Sequence, residues 1–201
     1  MGLQGKKYGS MLSLVVMLFI MLSGGQAMAE TVDDATLEKQ VADLQLGVDG
    51  YFIAHRLSEE QKRLAVKNME KESYPGTFTF TDGENHVLVD SGRDIILAIY
   101  QKKEKATREE LKAMVADLMM SFGDPTSEAH DQIIYWAYSK EGKVSEEEYV
   151  NSKQEGTVTV IATVKFKSKL TFTATADENA GENDIHWIIS SPRLLEKFYN
   201  R

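Results

Sequence analysis

The hydrophobic pattern of the strand-like segments constrains the fold of this chain more than any other feature. Residues 95–100 and 133–138 are apolar on both faces of an extended strand, whereas residues 157–166 alternate between apolar and polar side chains. A strand that is apolar on both faces needs cover on both sides, so we expect the first two segments to lie in the middle of a sheet. The alternation resumes at 170–174. We place a hairpin turn near 167–169, because one unbroken strand would span roughly 60 Å.

Two helical patterns precede the strands. Between residues 34 and 56, apolar side chains recur at steps of three and four, which is the helical period. Gly47 and Gly50 interrupt this stretch, so it forms either one bent helix or a helix that ends near Gly47. A second helix begins after Ser58, a favoured N-cap residue, and runs to about Ser73.

The strongest helical pattern covers residues 108–122. Thr107 and Glu110 form a capping box at its start, and Gly123 occupies the C-cap position. A short C-terminal helix is expected from Pro192, since proline is favoured at the first helical position.

The order of these elements predicts the fold class. Further strands are expected at 77–81, 87–89 and 185–190, most of them joined by hairpin-length loops. We therefore predict an α+β fold: a mostly antiparallel sheet with helices packed against it, preceded by an N-terminal helical pair. Helix 108–122 would cover one side of the sheet and the N-terminal helices the other. A second subunit or a bound apolar ligand is the alternative cover.

Residues 1–29 have the features of a cleavable secretory signal peptide. Lys6 and Lys7 precede an apolar run of 12 residues, and Ala27 and Ala29 supply the small side chains that signal peptidase recognises. The run is shorter than the roughly 20 apolar residues that span a membrane. An uncleaved anchor is the alternative interpretation.

The remaining residues, 30–201, are predicted to form a single α+β domain. Residues 30–75 would make a helical N-terminal layer. Residues 76–201 would contain the sheet, one long helix and the short C-terminal helix.

Composition narrows the class of partner. No cysteine occurs, so disulfides, thiolate metal sites and a cysteine nucleophile are excluded. The net charge of −8 becomes −10 when Lys6 and Lys7 leave with the signal peptide. This acidic balance argues against nucleic acid and anionic membranes as partners, because both require basic patches.

Aromatic side chains are the best candidates for ligand-binding residues. The candidates are Tyr135, Trp136 and Tyr138 on one strand, and His186 and Trp187 on another. Aromatic walls with a few polar groups are typical of small-molecule pockets. The same residues at strand spacing also fill ordinary cores, which is the structural alternative.

No catalytic or metal site is predicted. His186 and Ser190 would lie about 13 Å apart on one strand, which is too far for a Ser-His hydrogen bond. The 4 histidines show no spacing that brings two of them together locally. The acidic loop 177–184 departs from the calcium-binding EF-hand pattern, so we predict no metal and no cofactor.

Lys165, Lys167 and Lys169 project from one face of the alternating strand. Lysines in such a position either protect the exposed edge of a sheet from further pairing or bind an anionic partner. Because that face is polar throughout, we predict that the strand lies at an edge.

Together these features predict an exported soluble protein, periplasmic or secreted, that acts as a non-enzymatic binding or interaction module of the cell envelope. Its partner would be a small molecule or an envelope protein, with no nucleic acid and no stable membrane span after cleavage. One alternative is a hydrolase-like envelope enzyme whose residues converge only in the fold. The other is a stand-alone sensory or inhibitor-like domain.

Overall fold

A computed structural model describes residues 33–70, 74–130, 132–155, 158–169 and 184–200. Within these residues the helices are α1 (Asp34–Asp43), α2 (Glu59–Asn68), α3 (Arg108–Phe122), α4 (Glu146–Glu155) and α5 (Pro192–Tyr199). The strands are β1 (Gly47–Val48), β2 (Tyr51–Phe52), β3 (Thr77–Asp82), β4 (Asn85–Asp90), β5 (Ile95–Lys103), β6 (Ser127–Ala129), β7 (Ile133–Ser139), β8 (Gly142–Lys143), β9 (Ala162–Ser168) and β10 (Ile185–Ser190). The expected leader 1–29, the strand continuation 170–174 and most of the loop 177–184 lie outside the described residues.

The architecture is an eight-stranded sheet with helices packed against it, which confirms the prediction of an α+β fold. Its strands lie in the order β3-β4-β5-β10-β9-β7-β6, and β8 pairs with β7 beside this path. Every pairing among the described strands is antiparallel. Strands β1 and β2 form a separate two-stranded sheet.

The positions of the strands correct part of the sequence analysis. Strand β5, which contains 95–100, lies in the interior between β4 and β10, as expected. Strand β7, which contains 133–138, lies one position from the edge, beside the short strands β6 and β8. Strand β9 carries Lys165 and Lys167 but lies between β10 and β7, so its predicted edge position is wrong. An antiparallel sheet can face water on one side, so a polar face also occurs on central strands.

The main core lies on the face of the sheet that α3 covers. Leu111 of α3 belongs to the same hydrophobic cluster as Ile99 and Val164 of the sheet. Helix α1 adds Leu37 and Val41 to this cluster, and both side chains are almost completely buried. This face therefore holds most of the apolar surface that folding removes from water.

The opposite face carries a second, smaller cluster of Leu88, Leu97, Ala98, Ile188 and Leu195. Leu195 comes from α5, the C-terminal helix, whose aromatic residues also pack against this cluster. We expected the N-terminal helices to cover this side, and that expectation is wrong. The nearest apolar stripe in the chain is that of α5, which follows directly from the central strand β10.

The stretch between α1 and α2 is a tight hairpin rather than a bent helix. Helix α1 ends at Asp43, and β1 and β2 pair around a turn in which Asp49 and Gly50 both have positive φ angles. A side chain at Gly47 would collide with the backbone of Tyr51. Glycine is therefore required at position 47 by close approach between strands, not by the end of a helix.

The other helix boundaries follow from their caps. Capping boxes form between Ser58 and Gln61 and between Thr107 and Glu110, and α3 has the predicted bounds. Helix α2 ends at Asn68, earlier than expected. Among the described residues, none of the helices is long and apolar enough to cross a membrane.

A cleft beside helix α3 as the candidate functional site

The structure does not bring the five predicted ligand-binding residues together. Trp136 and Tyr138 face the main core. The Trp136 side chain is completely buried, and its Nε1 donates a hydrogen bond of 2.7 Å to the carbonyl oxygen of Gly123. Burial raises the pKa of Tyr138 to about 12. These two residues belong to the hydrophobic core.

Tyr135 and His186 lie on the opposite face of the sheet, beside the lysines of β9. The Nζ atom of Lys165 lies 5.4 Å from the centroid of the Tyr135 ring, an arrangement that favours a cation–π interaction. His186 pairs across the strands with Lys167 and Lys102. Burial, reinforced by these two ammonium groups, lowers the pKa of His186 to about 4.

Trp187, another of the predicted candidates, lines a cleft. This cleft has a volume of about 380 Å³. It lies between α3, strands β5 and β10, and the β1–β2 and β3–β4 turns. Its lining comprises Gly47, Val48, Asp49, Glu84, Gln101, Lys103, Glu110, Ala113, Met114, Asp117, Leu118, Ser121, Phe122 and Trp187.

Gln101 and Trp187 form the floor of the cleft and belong to a row of hydrogen-bonded polar side chains. The Trp187 Nε1 donates to Gln101 Oε1 at 3.2 Å, and Gln101 Nε2 donates to Asn85 Oδ1 at 2.9 Å. Asn85 Nδ2 then donates to Asp49 Oδ2 at 2.7 Å. Because Asn85 and Trp187 are almost fully buried, these bonds fix the orientation of both side chains.

The wall that α3 provides combines apolar and acidic side chains. Met114, Leu118 and Phe122 lie at helical spacing and contact the main core from this side. Asp117 lies one turn after Ala113 on the same helix. The wall can therefore contact both an apolar skeleton and a polar group of a ligand.

Carboxylates dominate the charge of the cleft. Its lining contains Asp49, Glu84, Glu110 and Asp117, against the single ammonium group of Lys103. Lys103 Nζ lies 2.9 Å from Glu110 Oε1. The backbone N–H of Thr107, followed by the Lys103 side chain, lowers the pKa of the Glu110 carboxyl, so this group is firmly ionised at neutral pH.

Asn85 and Gln101 were not identified from the sequence. The available signal was that Gln101 continues the inward register of Ile99 along β5. A polar residue in that position needs a buried partner, and the cross-strand neighbour Trp187 supplies it. Among the residues that the structure describes, no three His, Asp or Glu side chains are grouped as ligands of a metal ion.

Comparisons of this chain with protein-family models, with curated proteins and with solved structures found no match. The function of the cleft is therefore argued from its own geometry and charge.

Proposed function

We propose that this chain is an exported, non-enzymatic binding module of the cell envelope that holds a small molecule in the cleft beside α3. The cleft itself carries the proposal. Its volume of about 380 Å³ falls within the range of small-molecule sites, roughly 300–1,000 Å³. Its lining also has the usual composition of such sites, with apolar walls and a few fixed polar groups.

The hydrogen-bonded floor supports a binding role. Trp187, Gln101 and Asn85 are held on three neighbouring strands by bonds of 2.9 and 3.2 Å between their side chains. A ligand that contacts this floor would not have to order these side chains first. Preorganisation of this kind reduces the entropic cost of binding.

The state of the carboxylates favours binding over acid–base catalysis. Glu110 already accepts hydrogen bonds from Thr107 and forms an ion pair with Lys103, and both contacts lower its pKa. A carboxyl that acts as a general acid near neutral pH needs a raised pKa. Asp49 is likewise engaged, with the Asn85 amide.

Export is the second part of the proposal, and the N-terminal sequence supports it. The basic pair Lys6 and Lys7, the apolar run and the small residues Ala27 and Ala29 occur in the order of a cleavable leader. We propose a periplasmic or secreted location for the mature chain.

The test combines native mass spectrometry with one steric variant. Protein purified from its own cell envelope should carry a bound small molecule, and thermal-shift screening should identify compounds that raise its melting temperature. Ala113→Trp places an indole in the cleft and should abolish both signals. Ala116→Trp is the matched control, because it lies on the same helix, is exposed and does not line the cleft. Equal ligand retention by both variants, or no ligand in any preparation, would refute the proposal.

A further inference from the structure

The charge of the cleft also indicates which class of ligand it takes. We infer that the cleft selects a small organic cation, an amine or guanidinium group attached to an apolar skeleton. This inference rests on the proposal that the cleft is a ligand site.

The first argument is how the charges in the lining are already paired. Lys103, the only cationic residue of the lining, lies 2.9 Å from Glu110. Asp49 accepts a hydrogen bond from the Asn85 amide, which carries no charge to neutralise it. Glu84 acts on Lys103 only as a nearby charge. Among the described residues, no hydrogen bond or ion pair engages the Asp117 carboxylate.

The second argument compares the three charge classes of ligand. An anion would enter beside four carboxylates, and the one ammonium group that could receive it is already paired. A neutral apolar molecule would displace water from the carboxylates without replacing their hydrogen bonds, which is costly. A cation replaces that water with an opposite charge. It therefore avoids both the repulsion that an anion meets and the loss of hydrogen bonds that a neutral molecule causes.

The third argument concerns the rest of the ligand. Met114, Leu118 and Phe122 line the same cleft and provide an apolar surface. The Trp187 indole lies at the floor, and indole is the best aromatic partner for a cation. The site therefore fits an organic cation that carries an apolar skeleton, and not a hydrated inorganic ion.

The test uses probes that share a shape and differ in charge. Benzylamine, benzyl alcohol and benzoate form one triad; hexylamine, hexanol and hexanoate form a second. Calorimetric titration of the full mature chain should show each amine binding about 10-fold more tightly than its alcohol, since several exposed carboxylates each contribute up to about 1 kcal/mol. Benzoate and hexanoate should not bind. Amine binding should weaken as salt concentration rises.

Two variants that each remove one negative charge from α3 test whether the preference for amines comes from the cleft. Asp117→Asn should weaken amine binding by about 2- to 5-fold, the effect of losing one exposed ion pair, while leaving alcohol binding unchanged. Glu109→Gln is the matched control, because it removes the same charge from an exposed position of α3 outside the lining. Equal weakening by both variants would mean a long-range effect of net charge and would overturn the inference.

The outcomes separate the inference from the proposal on which it rests. If alcohols bind as tightly as amines and Ala113→Trp blocks both, the cleft is a ligand site without charge selection, and only the inference fails. If neither triad binds and native mass spectrometry finds no ligand, the proposed function fails as well. Amine binding that Ala113→Trp leaves intact would place the cation elsewhere and also overturns the inference.

Discussion

The two tryptophans donate hydrogen bonds to acceptors of different kinds. Trp136 donates to the backbone carbonyl of Gly123 inside the core, and its ring packs near Phe122 at a centroid distance of 6.2 Å. Trp187 donates instead to the Gln101 side chain at the floor of an open cleft. The first acceptor is a backbone carbonyl oxygen that faces the core, whereas the second is a side-chain oxygen in the lining of the cleft.

This difference predicts the outcome of one substitution made at two sites. Trp136→Phe should lower the free energy of unfolding by about 2–3 kcal/mol, because it leaves a cavity and a buried carbonyl oxygen without its donor. Trp187→Phe should cost only about 1 kcal/mol, since water in the cleft can take over the bond to Gln101. Urea denaturation followed by circular dichroism measures both. Equal losses would show that the hydrogen-bond partner does not matter.

His186 makes the stability of the protein depend on pH. Its pKa is about 4 in the folded chain and 6.5 for an ordinary histidine, because burial and two lysines oppose its charge. Between these values the unfolded chain binds a proton that the folded chain does not, so stability should fall as pH decreases from 7 to 4, by roughly 3 kcal/mol. Below pH 4 this residue should add no further change.

The measurement compares variants, because carboxylates titrate in the same range. As pH falls from 7 to 4, the natural chain should lose about 3 kcal/mol of unfolding free energy relative to His186→Gln, which lacks the titrating group. His130→Asn is the control at an exposed histidine whose φ of 56° asparagine tolerates. A pH profile that His186→Gln leaves parallel to that of the natural chain would contradict the prediction.

At the scale of elements, α5 covers the second hydrophobic cluster of the sheet. Leu195 is almost completely buried and is the helix residue at the centre of the second hydrophobic cluster. Leu195→Ala should lower the free energy of unfolding by about 2–5 kcal/mol, the usual cost of a buried leucine. Val66→Ala, on the exposed side of α2, should change it by less than about 0.5 kcal/mol. Thermal and chemical denaturation would show the contrast, and similar values for both variants would contradict the packing role of α5.

Local signals predicted some elements, whereas others were missed although their sequences carry such signals. Helix α3 was placed correctly because Thr107, Glu110 and Gly123 cap it within its own sequence. The β1–β2 hairpin was missed although its turn, Asp49-Gly50, is a local hairpin signal, because the helical spacing of the apolar residues over 34–56 was given more weight. Helix α4 was missed because it has little apolar periodicity, although Ser145 and Glu148 form a capping box at its start.

The candidate site was also only partly predictable from the sequence. Trp187 was a candidate because aromatic residues are visible in a sequence. Asn85 and Gln101 were not identified because their role depends on side-chain bonds across β4, β5 and β10, and β10 is distant from the other two strands in the chain. The topology also separates Tyr135 and His186 from Trp187, since neighbouring positions on a strand point to opposite faces. Residue type alone therefore identified one residue of the cleft, Trp187, but not the cleft.

At the scale of the whole molecule, the proposed export would determine which chain folds and which ligands it meets. The leader prediction rests on small residues at positions 27 and 29, which signal peptidase requires. The natural chain, expressed in its host, should therefore be recovered from the envelope fraction or the medium with Glu30 at its N-terminus. Ala29→Leu should block cleavage and leave an uncut precursor, whereas Ala29→Ser keeps a small side chain and should be processed normally.

Intact-mass measurement of each variant shows whether cleavage has occurred, because the mass of the chain changes unambiguously when residues 1–29 are lost. Recovery of the natural chain from the cytosol with Met1 or Gly2 at its N-terminus would overturn the proposed export. Equal processing of Ala29→Leu and Ala29→Ser would instead move the cleavage site. A precursor that is held at the membrane without cleavage would support an anchor, and the cleft would then sample ligands from a fixed position at the envelope.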